Sequence, residues 1–287
     1  MKSLKLSSVD IIRLDNAVVS HTPDLLAVEE PLEIRLGYGP ELNREQRSIS
    51  VTMRTPGHDF ELVMGFLLTE GIIDDFSQVH HIKHCVGLEK AQHEGNVVRV
   101  ELKYGVEIDY QKLERHFYTS SSCGVCGKSS IEAIEGQCVM ISSDIRYSAE
   151  VLHKSVEAMR VKQSIFDITG GLHAVGLFDS KGELVMMRED IGRHNALDKL
   201  IGAAMIKDML PLNRYFILLS GRASFELIQK SLIAGIPLVA AIGAPSSLAA
   251  KLASQFGQTL LGFVREHRFN IYSSEFRIEE VSEKIDK

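Results

Sequence analysis

Cys123 and Cys126 stand three positions apart in "SSSCGVCGKSS" (120–130), among serines, glycines and a lysine. Such a pair can ligate a metal, form a disulfide or carry sulfur covalently. A structural zinc site needs four ligands, usually two CxxC pairs or one with paired histidines. Here there is one CxxC; Cys138 is alone, and Cys85 beside His84 is distant. A zinc deaminase needs H-x-E or C-x-E with P-C-x-x-C. No histidine or cysteine is followed by x-Glu, and Ser122 precedes Cys123. Zinc is disfavoured. A thioredoxin-like pair sits between a strand and a helix. The preceding "RHFYTS" is weakly strand-like, whereas "KSSIEAIEG" reads as a helix with Ser129 and Glu132 at capping-box spacing. The positive end of that helix and Lys128 lower a nearby thiol pKa. Gly124 and Gly127 let the backbone expose both sulfurs. These residues describe a reactive thiolate on a loop; incidental loop cysteines remain the competing reading.

The chain around this pair has 287 residues, 45% of them apolar and 24% charged. That is an ordinary soluble composition with enough apolar side chains for a large core. A net charge of −6, from 32 basic and 38 acidic residues, argues against nucleic acid as a partner but allows a local basic pocket. No apolar stretch reaches the roughly 18–20 residues that span a bilayer. Asp10, Arg13 and Asp15 interrupt any signal-peptide core at the N-terminus. No membrane association is expected, and the expected compartment is the cytoplasm, where thiols stay reduced.

The elements fall into two rhythms. Alternating apolar residues predict strands at 31–36, 48–54 and 96–103. Phe60, Val63, Met64 and Leu67 predict a helix over 59–71. These form a small α+β domain over residues 1–116. Residues 117–287 alternate helices at 148–166, 193–206, 224–234 and 246–256 with strands near 172–178, 183–188, 214–220, 237–242 and 259–264. That pattern predicts an α/β layer domain with a largely parallel sheet, opening with a mobile CxxC loop. "FILL" and "LVAAI" fit strands covered on both faces.

Three strands run into glycine-containing loops that open helices: "MMREDIGRHNALDKL", "ILLSGRASFELIQK" and "VAAIGAPSSLAAKL". Helix N-termini bind anions through unpartnered N–H groups, and α/β sheets bind ligands at the carboxyl edge of their strands. Arg193 and Arg222 are placed to hold phosphate. Ordinary capped βα loops are the alternative. Neither GxGxxG nor GxxxxGK[ST] occurs, so no Rossmann or P-loop site is indicated.

The order of these stretches resembles the formate dehydrogenase accessory sulfurtransferase family, FdhD, over nearly the whole chain. The matching blocks include "EEPLEIRL", "MRTPGHDFELVMGFLLTEGII", "SSCGVCGKSSIEAI", "TGGLHAVGLFD", "REDIGRHNALDKLIG", "SGRASFELIQK" and "LLGFVREHRFNIY". The resemblance implies a C-terminal cytidine-deaminase-like domain without zinc. It implies a sulfur carrier that accepts persulfide sulfur from a cysteine desulfurase. The sulfur then passes to the molybdenum cofactor bearing two pterin guanine dinucleotides, before that cofactor enters formate dehydrogenase. Cys123 matches the persulfide carrier and Cys126 the second cysteine. Phe263, Val264, Arg265, Glu266, His267 and Arg268 match the segment that contacts the cofactor. A homodimer is implied, and no structural metal.

Other residues carry readings of their own. Leu197, Leu200, Ile201 and Ala204 form a buried stripe, which puts Asn195 and Lys199 outward and His194 on a flank with Asp198 at i+4. The functional reading places His194, Asn195 and Lys199 near the cofactor, together with Ser220, Gly221 and Arg222. Gly170 and Gly171 suggest a tight turn or close ligand approach. His173 reads as structural, His80, His81 and His84 as a surface strand, and Cys85 as a small core residue. Two rival functions stay open: a cofactor-binding chaperone without obligatory cysteine chemistry, and a dithiol redox regulator.

Overall fold

Alternation within "PLEIRL" and the unbroken apolar run "FILL" already require sheets with covered faces, and the computed structural model contains a four-stranded and a six-stranded sheet beside a two-stranded ribbon. It describes residues 5–85, 95–109, 138–163 and 168–281. The boundary drawn between 116 and 117 lies outside these residues, as do Cys123, Cys126, Ser129 and Glu132.

The chain opens with a ribbon of β1 (Leu6–Asp15) and β2 (Val18–Ala27), paired antiparallel. Asn16 and Ala17 turn it with φ of 44° and 69°, the left-handed pair that suits a two-residue hairpin. The sequence pattern did not signal this ribbon, because it buries little. Next come β3 (Glu30–Tyr38), β4 (Glu45–Arg54), α1 (Asp59–Thr69), β5 (Val79–His84) and β6 (Val97–Leu102). The four strands form a sheet in the order β4-β3-β6-β5. Leu32, Ile34, Leu36, Val98 and Val100 on one face are fully buried in one cluster with Val63, Met64 and Leu67 of α1.

The second layer begins with α2 (Ala149–Lys162), whose N-cap Ser148 accepts from Val151 N–H. It continues through β7 (His173–Phe178), β8 (Leu184–Asp190), α3 (Arg193–Ile206), β9 (Phe216–Leu219) and α4 (Phe225–Ile233). β10 (Leu238–Ala241), α5 (Ser247–Gln255), β11 (Thr259–Gly262) and β12 (Asn270–Ser273) complete it. The six strands lie in the order β12-β11-β10-β9-β7-β8. Phe216 and Leu218 pack into the cluster containing Leu152 and Met159 of α2, while Ile217 and Leu219 pack on the opposite face with α3 and α4. "FILL" is covered on both sides, as its apolarity requires.

The expectation of a largely parallel sheet is corrected. Only β9–β10 and β10–β11 pair parallel; β7–β8, β7–β9 and β11–β12 are antiparallel. The links from β7 to β8 and from β11 to β12 contain no helix, and a parallel return needs a crossover of a dozen or more residues.

α1 and α3 join the two layers. A Cβ built on Gly65 would lie 1.9 Å from Asp198 O, and one on Gly202 would lie 1.8 Å from Glu61 O. The two backbones therefore meet where only glycine fits. Arg188 of β8 clamps Glu61 of α1 with two hydrogen bonds, at 2.5 and 2.7 Å. Burial works against the Glu61 anion, but Arg188 and His58 outweigh it and lower its pKa to about 2. Among the described residues no helix is long and apolar enough to cross a membrane.

Candidate functional site

β7 runs antiparallel to both β8 and β9, so β8 shares the direction of β9, β10 and β11. The carboxyl ends of those four strands and the amino end of β7 therefore open at one sheet edge. Hydrogen bonds tie the loops there into a continuous rim. Ser220 exchanges two bonds with Ala174: its N–H donates to Ala174 O at 3.0 Å, and its Oγ accepts from Ala174 N–H at 2.9 Å. Gly243 N–H donates to Gly221 O at 2.8 Å, and Phe263 N–H donates to Gly243 O at 3.1 Å. Arg265 donates from one guanidinium nitrogen to Ile242 O at 2.7 Å and to Val264 O at 2.8 Å. A Cβ on Gly221 would lie 3.2 Å from His173 Nδ1, and one on Gly243 would lie 2.9 Å from Arg222 N. Both glycines allow backbone to pack where a side chain would intrude.

Three further arginines stand on the rim. Arg193 is half-buried and Arg222 and Arg268 are exposed. None of the three makes an ion pair or side-chain hydrogen bond among the described residues. Gly192, the N-cap of α3, and Ser224, the N-cap of α4, provide no side-chain cap bond, whereas Ser246 caps α5 by accepting from Ala249 N–H. The N-terminal turns of α3 and α4 thus open towards the rim with the positive ends of their dipoles. Phe263 holds φ at 53° and is 40% exposed. A bulky residue in the left-handed region is strained, a feature that concentrates at binding sites.

His194 joins the first two helix termini. Its Nε2 lies 3.4 Å from Ser224 Oγ and 3.4 Å from Glu226 Oε2. Burial, reinforced by Arg193 and Lys230, pushes its pKa down to about 3. The imidazole is therefore neutral near pH 7 and can both donate and accept a hydrogen bond. Burial and Arg193 lower His173 in the same direction.

The readings for α3 need correction. His194 does not partner Asp198, which accepts from Thr69 Oγ1 at 2.9 Å and pairs with Lys230 at 3.0 Å. Burial disfavours the Lys230 ammonium, but Asp198, Glu70 and Glu226 outweigh it and raise its pKa. Lys199 does not face outward: it is 1% exposed, and its Nζ lies 2.7 Å from Asp190 Oδ2 and 2.8 Å from Thr55 O. Asn195 turns to the other layer, donating to Met53 O at 2.8 Å and accepting from Thr52 Oγ1 at 3.2 Å. A single apolar stripe predicts one covered face, but α1 covers the face that the pattern leaves to solvent. α3 is buried continuously from Ala196 to Met205.

Within 263–268, Val264 is fully buried and its side chain belongs to the core. Glu266 and His267 project into solvent, which leaves Phe263, Arg265 and Arg268 as the rim residues of that segment. Gly170 adopts φ 64° with open space around it, so conformation rather than crowding requires glycine there. Gly171 N–H donates to Thr169 Oγ1 at 3.2 Å. His81 and His84 lie on β5 as expected. Cys85 is only half-buried, not a core residue. Ser224 and Glu226, which flank His194, were not singled out from the sequence; the N-cap position of Ser224 was the available signal.

The chain is similar to known proteins over most of its length. Residues 27–279 match the model of the FdhD/NarQ family. The chain is 46% identical over 272 residues to "Sulfur carrier protein FdhD" of Streptomyces avermitilis, covering 93% of this chain and 94% of that one. It is 49% identical over 261 residues to the protein of that name from Mycolicibacterium paratuberculosis, covering 89% and 92%. The protein of that name from Saccharolobus solfataricus is 38% identical over 275 residues, covering 96% and 99%. A crystal structure from Desulfotalea psychrophila, described as a formate dehydrogenase accessory protein, superposes with a TM-score of 0.73. It covers 96% of this chain and 99% of that one at 21% identity, a likeness of fold. The chain belongs to the FdhD/NarQ family.

Proposed function

We propose that this protein is a sulfur carrier that takes persulfide sulfur from a cysteine desulfurase onto Cys123. It delivers that sulfur to the molybdenum cofactor bearing two pterin guanine dinucleotides, before the cofactor enters formate dehydrogenase. Relatives at 38–49% identity carry the sulfur-carrier name. In the loading step the Cys123 thiolate attacks the outer sulfur of the donor's persulfide. The donor's S–S bond breaks, its cysteine leaves as thiolate, and a new S–S bond stands on Cys123. Cys126 is the second thiol of the motif.

The observation that carries the cofactor half of this reading is the rim. Uncapped termini of α3 and α4 stand beside Arg193 and Arg222, which lack ion-pair partners among the described residues. Such an array suits a polyanion with several phosphates. Phe263 offers an aromatic face to a base, and Arg268 a guanidinium without an ion-pair partner among the described residues. Arg265 serves as a strut, because its guanidinium already holds two carbonyls. Ser220 and Gly221 shape the rim, His194 supplies a neutral donor and acceptor, and Gly170 and Gly171 lead into β7 beside it. Asn195 and Lys199 act at one remove, by holding α3 against the other layer. The proposal includes a cytidine-deaminase-like six-stranded layer lacking zinc, domains at 1–116 and 117–287, a homodimer and a cytoplasmic setting.

Incubation of the reduced protein with a cysteine desulfurase and cysteine, followed by peptide mass spectrometry, tests the carrier role. One added sulfur on the Cys123 peptide, lost in Cys123→Ala, is expected. No added sulfur, with the desulfurase active on a control acceptor, would favour a cofactor chaperone. The rim itself supports that second reading equally, since it needs no thiol.

A further inference from the structure

The open face of the four-stranded sheet holds a second cationic feature. β6 turns Val98, Val100 and Leu102 into the core, so Arg99 and Glu101 emerge on the side away from α1. On the neighbouring strand Lys83 stands opposite Arg99, and His81 opposite Glu101. Arg44 reaches in from the β3–β4 connection, accepted by Glu101 at 2.5 Å and by Leu102 O at 2.9 Å. Arg99 also pairs with Glu101. With Lys103, these side chains line a half-open trough of about 640 Å³. Gly37 keeps the floor clear, since a Cβ there would lie 2.3 Å from Glu101 Oε2. The trough carries four Lys or Arg side chains and one carboxylate, in a chain of net charge −6. Arg44 and Arg99 neutralise that carboxylate, while Lys83 and Lys103 form no salt bridge among the described residues.

We infer that this trough and strand β5 dock an extended acidic segment of a partner protein by strand addition. Among the described residues β5 is the end strand of its sheet. Cys85 N–H bonds Val97 O, so alternation of the antiparallel ladder turns the Ile82 and His84 backbone groups away from β6. Those groups are the template for an added strand. The charges are spread along the strands. His81 and Lys83 are two residues apart on one face, about 6–7 Å in an extended chain, the spacing of alternate side chains on a docked strand. A compact phosphate would instead call for converging donors such as a helix N-terminus, and among the described residues no helix lines this trough. Lysine on an edge strand discourages pairing with apolar or basic strands. The same charge favours an acidic one. The inference is independent of the sulfur-transfer reading.

The test uses the full chain and fluorescein-labelled eight-residue peptides of four Glu and four Thr. In one the Glu residues alternate; in the other they are contiguous. Fluorescence anisotropy should show the alternating peptide binding at least tenfold tighter, with affinity falling as salt rises. The double substitution Lys83→Glu, Lys103→Glu should lose at least tenfold, and Lys83→Gln, Lys103→Gln should lose less, both with unchanged melting temperature. Hydrogen exchange at the Ile82 and His84 amides should slow on binding. Equal affinity for both peptides, or no protection of those two amides, would overturn the inference. Displacement by pyrophosphate at matched ionic strength would overturn it in favour of a compact-anion site.

Discussion

His194 and Arg222 show how neighbouring side chains on one rim acquire different tasks. His194 is held neutral by burial, Arg193 and Lys230, with a pKa of about 3 against an ordinary 6.5. Its ring should show no midpoint between pH 5 and 8 in an NMR titration of the imidazole carbons. The unfolded chain takes up a proton as pH falls below 6.5, and the folded chain does so only near 3. The contribution is complete above pH 6.5 and is lost between there and about 3. Arg222 is exposed and makes no ion pair among the described residues, so its removal leaves no buried charge. Arg222→Ala should weaken guanosine diphosphate binding about tenfold, the worth of a charge-assisted hydrogen bond. Titration calorimetry reads that loss, and an unchanged melting temperature separates it from misfolding. No change in affinity would remove Arg222 from the cofactor site.

Among the elements, α1 and α3 decide where the rim sits. Their backbones touch at Gly65 and Gly202, and the pair Lys199–Asp190 anchors α3 to β8 beneath its first turn. Gly202→Ala would place a methyl group 1.8 Å from Glu61 O, and the helices would have to separate. Overpacking of this kind costs about 3 kcal/mol or more, which a lower urea midpoint would register. Helix boundaries in this layer are legible: the sequence predicts a helix over 193–206, which is the observed span. The burial of Lys199 was not legible, because a lysine in an amphipathic helix reads as solvated until a second helix covers it. β1 and β2 were missed for the opposite reason: Ile12, Leu14, Val18 and Val19 are all exposed, so no buried face imposes a pattern.

At the scale of the whole molecule, one apolar cluster runs from Leu32 of the four-stranded sheet through α1 and α3 to Leu219 and Val239 of the six-stranded sheet. A core shared in this way couples the layers. Thermal unfolding followed by far-ultraviolet and by near-ultraviolet circular dichroism should therefore give one coincident transition. Two separated transitions would mean that the layers are independent domains despite the shared core. The rim lies on one layer and the cationic trough on the other. A carrier that meets both a partner protein and a polyanionic cargo can thus present separate surfaces to each.

The sequence alone determined the helices and five of the six strands of the six-stranded layer, because apolar periodicity is local and survives without partners; β12 is short and mostly uncovered and left no such pattern. It also supplied the CxxC pair and the family resemblance, which rest on residue types and their order. Tertiary structure decided the rest. Strand direction placed the loops after β8, β9, β10 and β11 on one rim, and packing of α1 on α3 turned Asn195 and Lys199 inward. Whether a charge is paired, buried or free depends on residues more than a hundred positions away, as with Arg188 and Glu61. Local pattern carries no record of such neighbours.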